Sequence, residues 1–196
     1  MSDDGRSLPA EPRIAPLSES ELTEDALGLA AKLRTLFGLG TTELPEAVAT
    51  MLRHPDLYRP QIEYIVQRSK VSVLPARDLE VVILRTAWLC RSAYIWGEHV
   101  NFGKRAGLSS GEIEQLTIGS AAPQWDERDL AINRTVEELH ETSFVSDETW
   151  AVISANFTDQ QIIEMLSIIG SYHEVSFLYN AMRVRLLPGS RGLDAR

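Results

Sequence analysis

One kind of signal recurs between residues 18 and 186. A short polar side chain is followed, three positions on, by an acidic or amide residue, and then by apolar residues at helical spacing. Ser18 with Glu21, Ser109 with Glu112 and Thr158 with Gln161 are capping boxes of this form, each satisfying backbone donors that a helix start leaves open. Asp126 and Ser146 stand at the same place before two further patterns, and Pro45, Pro55 and Pro75 suit the first turns of three more. The expected helices run from Ser18 to Phe37, stopped by Gly38 and Gly40, from Pro45 to Arg53, and from Pro55 through Tyr58, Ile62, Ile65 and Val66. A long pattern, Ala76 to Arg105, ends at Gly107, and the remaining helices end near Ser120, Thr142, Asn156 and Arg185. Alternating strand patterns and Asn-Gly or Asp-Gly turns are absent. The fold class is all-α.

The 196 residues fit one domain. Residues 1–17, with Pro9, Pro12 and Pro16, read as a flexible or partner-wrapping arm, residues 18–186 as the helical domain, and residues 187–196 as a frayed tail. The lone Cys90 excludes an intramolecular disulfide and a cysteine-rich metal site, and no metal or cofactor is expected. A formal charge of −9 argues against nucleic acid and against anionic membrane surfaces as partners. The polar, acidic N-terminal stretch has no apolar core of a signal peptide, and no apolar run approaches a membrane span, so a cytoplasmic setting is expected. Two segments, Leu79–Trp88 and Ile162–Ile169, are apolar around most of a helix; they point to a core or to a homo-oligomer interface.

Chemistry is sought first at the four histidines, whose ordinary pKa lies nearest neutrality. His54, before Pro55, reads as a surface or capping residue. His140 lies in Glu137-Glu-Leu-His140, but no second Glu-x-x-His exists to complete a di-iron bundle, so an interfacial position or a carboxylate partner is expected. His99 ends a stretch rich in aromatic and polar groups. On one continuous helix Trp88, Ser92, Ile95 and His99 share a face, with Trp96 beside it. That is a pocket-like setting, against which stands the reading of a core histidine with a satisfied hydrogen bond. His173, in Gly170-Ser-Tyr-His-Glu174, repeats the situation. Gly107-Leu-Ser-Ser-Gly111 matches the hydrolase Gly-x-Ser-x-Gly in letters only, because a helix rather than a strand enters it.

The segment Leu74-Pro-Ala-Arg-Asp-Leu-Glu-Val-Val-Ile-Leu-Arg-Thr-Ala-Trp, then Tyr94-Ile-Trp, His99 and Ala106-Gly-Leu-Ser, resembles the carboxymuconolactone decarboxylase family, which includes the AhpD-type alkylhydroperoxidases. Pro123-Gln-Trp-Asp-Glu-Arg-Asp, Glu138-Leu-His140 and Tyr172-His-Glu-Val-Ser are similar to its longer, decarboxylase-like members. The resemblance implies an AhpD-like helical bundle that assembles as a homo-oligomer, with trimers or hexamers suggested and a dimer also compatible. AhpD-type members carry Glu, eleven residues, then Cys-x-x-Cys-x-x-x-His. Anchored on His99, that pattern places Glu80 at the glutamate and Ser92 and Ile95 at the two cysteines. Cys90 is out of register, so a dithiol cycle is not supported.

What the resemblance leaves is a cofactor-independent acid/base site on Glu80 and His99. Ser92, Tyr94, Trp96, Tyr172 and His173 are its expected substrate-binding residues, for a small organic acid or lactone. On one straight helix the 19 residues between Glu80 and His99 span about 28 Å, so the pattern must break near Cys90–Ala93 or the pair must meet across subunits. Two other readings stand beside this one: an AhpD-like peroxidase using Cys90 alone, and a non-catalytic binding or assembly protein, which Ile95 as an apolar plug favours.

Overall fold

The structure, a computed structural model, describes residues 11–37 and 43–196. Among them lie nine α-helices and no strand. The chain divides into two compact units, one up to Ser72 together with Ala181–Leu187, the other Val73–Asn180 with Pro188–Arg196.

The first unit contains α1 (Glu24–Phe37), α2 (Glu46–Met51) and α3 (Pro55–Val71). The Ser18 capping box forms, but it closes a 3-10 turn at Glu19–Glu21. Leu22 then takes extended backbone and is buried, and Thr23 Oγ1 accepts from the Ala26 N–H to start α1. The expected helix from Ser18 is thus split because burying Leu22 wins over continuing the turn. The described part of the expected arm is tied down. Arg13 N–H donates to the Met182 carbonyl at 2.8 Å, and Arg53 Nε donates to Ala15 O at 2.7 Å. The rest of the arm (residues 1–10) and the expected stops Gly38 and Gly40 lie outside the described residues. His54 caps α3, its Nδ1 accepting from the Leu57 N–H at 3.3 Å.

The second unit holds α4 (Ala76–Leu89), α5 (Ala93–Arg105), α6 (Ser110–Ile118), α7 (Glu127–Thr142), α8 (Asp147–Asn156) and all but the last two residues of α9 (Asp159–Met182). Ser109, Asp126 and Ser146 each accept a backbone N–H of the first turn they precede, as the sequence predicts. The long pattern from Ala76 to Arg105 is two helices. Arg91 N–H returns to Trp88 O (2.9 Å) and Ser92 N–H to Ala87 O (2.8 Å), with Arg91 at φ 51°. This is the Schellman closure of a helix, made here with arginine where glycine is usual. α5 ends the same way through Gly107 at φ 103°, with Leu108 N–H on Gly103 O.

α4 is the centre of this unit. Val81, Val82, Ile83, Leu84 and Ala87 are all within about 1% of full burial. Each large aliphatic side chain so buried contributes about 1.5–3 kcal/mol. Its charged residues are paired. Arg77 grips Asp129 bidentately (2.8 Å each), Asp78 meets Arg128 (2.7 Å) and Arg85 meets Glu137 (2.8 Å), which locks α4 to α7. α4's apolar girth is thus met within the chain, whereas α9 leaves Ile163 and Phe177 exposed. The C-terminal residues are packed rather than frayed: Trp96 Nε1 donates to Ala195 O at 3.0 Å, and Ala195 is buried. Among the described residues no helix is long and apolar enough to cross a membrane.

Candidate functional site

The turn at Cys90–Ser92 places Glu80 beside His99. Counted from Arg91 the two lie eleven and eight residues away on consecutive helices, so in an antiparallel pair they stand at similar height, about 12–16 Å from the turn. Glu80 Oε2 is 2.9 Å from His99 Nδ1, within one chain. On the other edge of the ring the Tyr172 hydroxyl of α9 is 3.2 Å from Nε2, with the two rings edge to face at 5.1 Å. Three helices therefore supply one line, carboxylate to imidazole to phenol. The side chains of Glu80 and His99 are 10% and 15% exposed, so the pair is shielded while His99 keeps an opening to solvent.

The chemistry of that line follows from donor and acceptor capacity. A carboxylate only accepts, so His99 Nδ1 carries the proton toward Glu80. Nε2 is then the exchanging nitrogen: neutral, it accepts the Tyr172 O–H, and protonated, it donates. Glu98, next in chain, is partly buried; burial pushes its carboxyl up and His99 pulls it back.

The other expected binding residues are distributed differently. Ser92 is fully buried at the start of α5, and its Oγ has no hydrogen-bond partner among the described residues. Tyr94 is half-buried and meets Tyr179 edge-on at 5.1 Å. Trp96 is a core residue, fully buried, with its indole N–H on Ala195 and its ring 4.9 Å from Trp88. The shared face expected for Trp88, Ser92, Ile95 and His99 does not exist, because the helix breaks between Trp88 and Ser92. Ile95 is absorbed into the apolar core.

His173 does not join His99. Consecutive helix residues diverge by about 100°, so Tyr172 and His173 point to different neighbours. His173 Nε2 is 2.9 Å from His140 Nδ1, and its own Nδ1 faces the Ile169 carbonyl at 2.9 Å. His140 was expected at an interface or beside a carboxylate. Within the chain it pairs with a histidine rather than a carboxylate, because Glu137 is taken by Arg85 and the Ser120 N–H, and Glu138 by Ser146 and Thr149. Cys90 stands with these two, and the three donor atoms lie within 4.8 Å of one another. The sequence reading missed this cluster. Its members lie 50 and 33 residues apart, and the only local signal was three ligand-type side chains near helix ends and on an apolar helix. Burial pushes the Cys90 thiol up to about 11, the Ser176 hydroxyl partly offsetting it. Burial also lowers His140, with His173 and Arg85 adding to the effect.

By sequence, no protein-family model and no curated protein matches this chain. Solved structures do. An uncharacterized peroxidase-related protein from Silicibacter sp. TM1040 superposes with a TM-score of 0.73 at 14% identity, over 96% of this chain and 98% of that one. An uncharacterized peroxidase-related protein with an alkylhydroperoxidase AhpD core, from Ralstonia eutropha JMP134, gives 0.72 at 16%, over 91% and 94%. The debrominase Bmp8, in complex with 2,3,4-tribromopyrrole, gives 0.70 at 15%, over 91% and 93%. These likenesses extend over nearly the whole of each chain, and the fold is the AhpD-like helical fold that the resemblance implies.

Proposed function

We propose that this chain is a decarboxylase-like enzyme that acts on a small organic acid or lactone by acid/base chemistry, without a cofactor. The observation that carries the reading is the line Glu80–His99–Tyr172, with 2.9 and 3.2 Å between the hydrogen-bonding atoms. Glu80 fixes the tautomer and orientation of the imidazole, and His99 Nε2 moves the proton. In a decarboxylation the carbon–carboxylate bond breaks and its electron pair enters an enolate. In this reading the Tyr172 O–H, 3.2 Å from His99 Nε2, donates to that oxygen, and protonated His99 Nε2 delivers a proton to carbon, to be restored from water. Fold alone does not assign chemistry. That a debrominase shares it, at 15% identity, supports only the suitability of the scaffold for small-molecule catalysis.

A peroxidase using Cys90 is disfavoured, since one thiol held near 11 by burial stays protonated at neutral pH. A non-catalytic binding protein is favoured by one observation, the burial of Ile95 in the core; the opening of His99 to solvent weighs the other way. Homo-oligomeric assembly and a cytoplasmic setting belong to the same proposal, and exposed Ile163 and Phe177 on α9 support the first.

The test is depletion of a panel of small carboxylic acids and lactones by the full chain, with His99→Ala as the control. Loss of one compound with the wild type, and not with His99→Ala, is the expected result. Equal depletion by both proteins, or none by either, overturns the proposal.

A further inference from the structure

We propose that Cys90, His140 and His173 form a zinc-binding site. Cys90 closes α4, His140 lies in the last turn of α7, and His173 sits in the middle of α9, so three separate elements bring their donor atoms within 4.8 Å of one another. A thiolate with two imidazoles is a donor set for Zn2+, and three protein ligands leave a fourth position for water.

The hydrogen bonds around the cluster favour ligation. His173 Nδ1 donates to the Ile169 carbonyl, which fixes the tautomer and leaves the Nε2 lone pair facing the cluster. Backbone carbonyls hold metal-ligating histidines in this way. Across the cluster, His140 Nδ1 and His173 Nε2 share one proton at 2.9 Å. Around a tetrahedral Zn2+ two imidazole nitrogens stand about 3.3 Å apart, so the pair must open by a few tenths of an ångström. His140 is exposed, which gives the ion a way in.

The protons balance simply. Cys90 Sγ–H gives its proton to water as the S–Zn bond forms. The proton between the histidines leaves His140 Nδ1 and is replaced, through exchange with solvent, by one on His140 Nε2. The net release is about one proton per ion bound, so affinity rises with pH.

The experiment uses the full, tag-free chain, stripped with a chelator and kept reduced, titrated with Co2+ and then with Zn2+ in competition. About one ion per chain is expected, with a thiolate-to-cobalt charge-transfer band and the visible bands of four-coordinate cobalt. Cys90→Ser abolishes the charge-transfer band. His140→Ala and His173→Ala weaken Zn2+ binding by more than about 10-fold, since even outer partners of a metal site cost about that much. His54→Ala, whose ring caps α3, leaves binding unchanged. Should a variant fail to fold, protection of wild-type Cys90 from iodoacetamide by Zn2+ reads the same site. No ion bound beyond what the Cys90→Ser/His140→Ala/His173→Ala variant retains overturns the proposal. So does a Cys90→Ser protein that keeps the charge-transfer band, a Cys90 alkylated as fast with Zn2+ as without, or a site that takes only Cu(I).

Discussion

Glu80 and His99, 19 residues apart on consecutive helices, meet at 2.9 Å because Arg91 holds a left-handed turn between them. The site therefore depends on a helix break that carries neither glycine nor proline. Left-handed backbone costs a non-glycine residue about 1–2 kcal/mol, more when the side chain is β-branched. Arg91→Gly is expected to fold at least as readily as wild type, and Arg91→Val to lose about 1–2 kcal/mol in urea denaturation. A valine variant of undiminished stability would contradict the account of the turn.

Tyr172 touches His99 in two ways, through its hydroxyl at 3.2 Å and through its ring edge at 5.1 Å. Tyr172→Phe keeps the ring and removes the donor. The expected outcome is a folded protein whose His99 Nε2 nitrogen resonance shifts toward that of a solvated imidazole, while Nδ1 stays protonated. Unchanged nitrogen shifts at His99 would show that the phenol makes no bond there.

Gly119, at φ 85°, closes α6 where Arg85 and Glu137 meet, and a methyl group there would collide with Arg85 Nη2 and Glu137 Oε1. Arg85 also donates to the Leu116 carbonyl at 2.8 Å, so the ion pair cannot step aside without losing bonds. Gly119→Ala is expected to cost about 2–4 kcal/mol, from strain and from a disturbed buried pair. Thermal denaturation within about 1 °C of wild type would contradict this.

Glu112 completes the capping box of α6 and pairs with Arg77. Burial works to raise its carboxyl, but the bonds from Arg77 and Ser109 outweigh it and hold the group at about 2, against an ordinary 4.5. A carboxyl lowered on folding stabilises fully above its unfolded value and loses that contribution as pH falls toward its folded one. The stability gap between wild type and Glu112→Gln is expected to be about 1 kcal/mol near neutrality, discounted for a partly exposed pair, and to close between about pH 5 and 2. A gap independent of pH over that range would rule out the linkage.

Helix starts were legible because their signal is local: Ser109, Asp126 and Ser146 each reach a backbone N–H three residues on. Gly107 was legible as a stop for the same reason. The Arg91 turn was not, since its left-handed backbone is imposed by tertiary packing of α4 and α5 rather than by its own residue type. Glu80 and His99 were placed together by resemblance alone, and Tyr172 could be named but not aimed. Trp96 looked like a pocket wall because aromatic residues beside a histidine carry no sign of which way they face. The pairing of His140 with His173 lies further still from any local signal, as it depends on how α7 and α9 pass each other.

The most direct measurement of the acid/base reading is the turnover of a compound depleted by the wild type, compared with Glu80→Gln at matched folding. Glutamine keeps the shape of Glu80 but not its charge, and its amide can either accept from or donate to Nδ1. Neither the Nδ1–H tautomer nor a protonated His99 is then enforced, and kcat should fall by about 10²–10⁴-fold with KM little changed. Turnover equal to wild type would contradict the claim that Glu80 and His99 form the site.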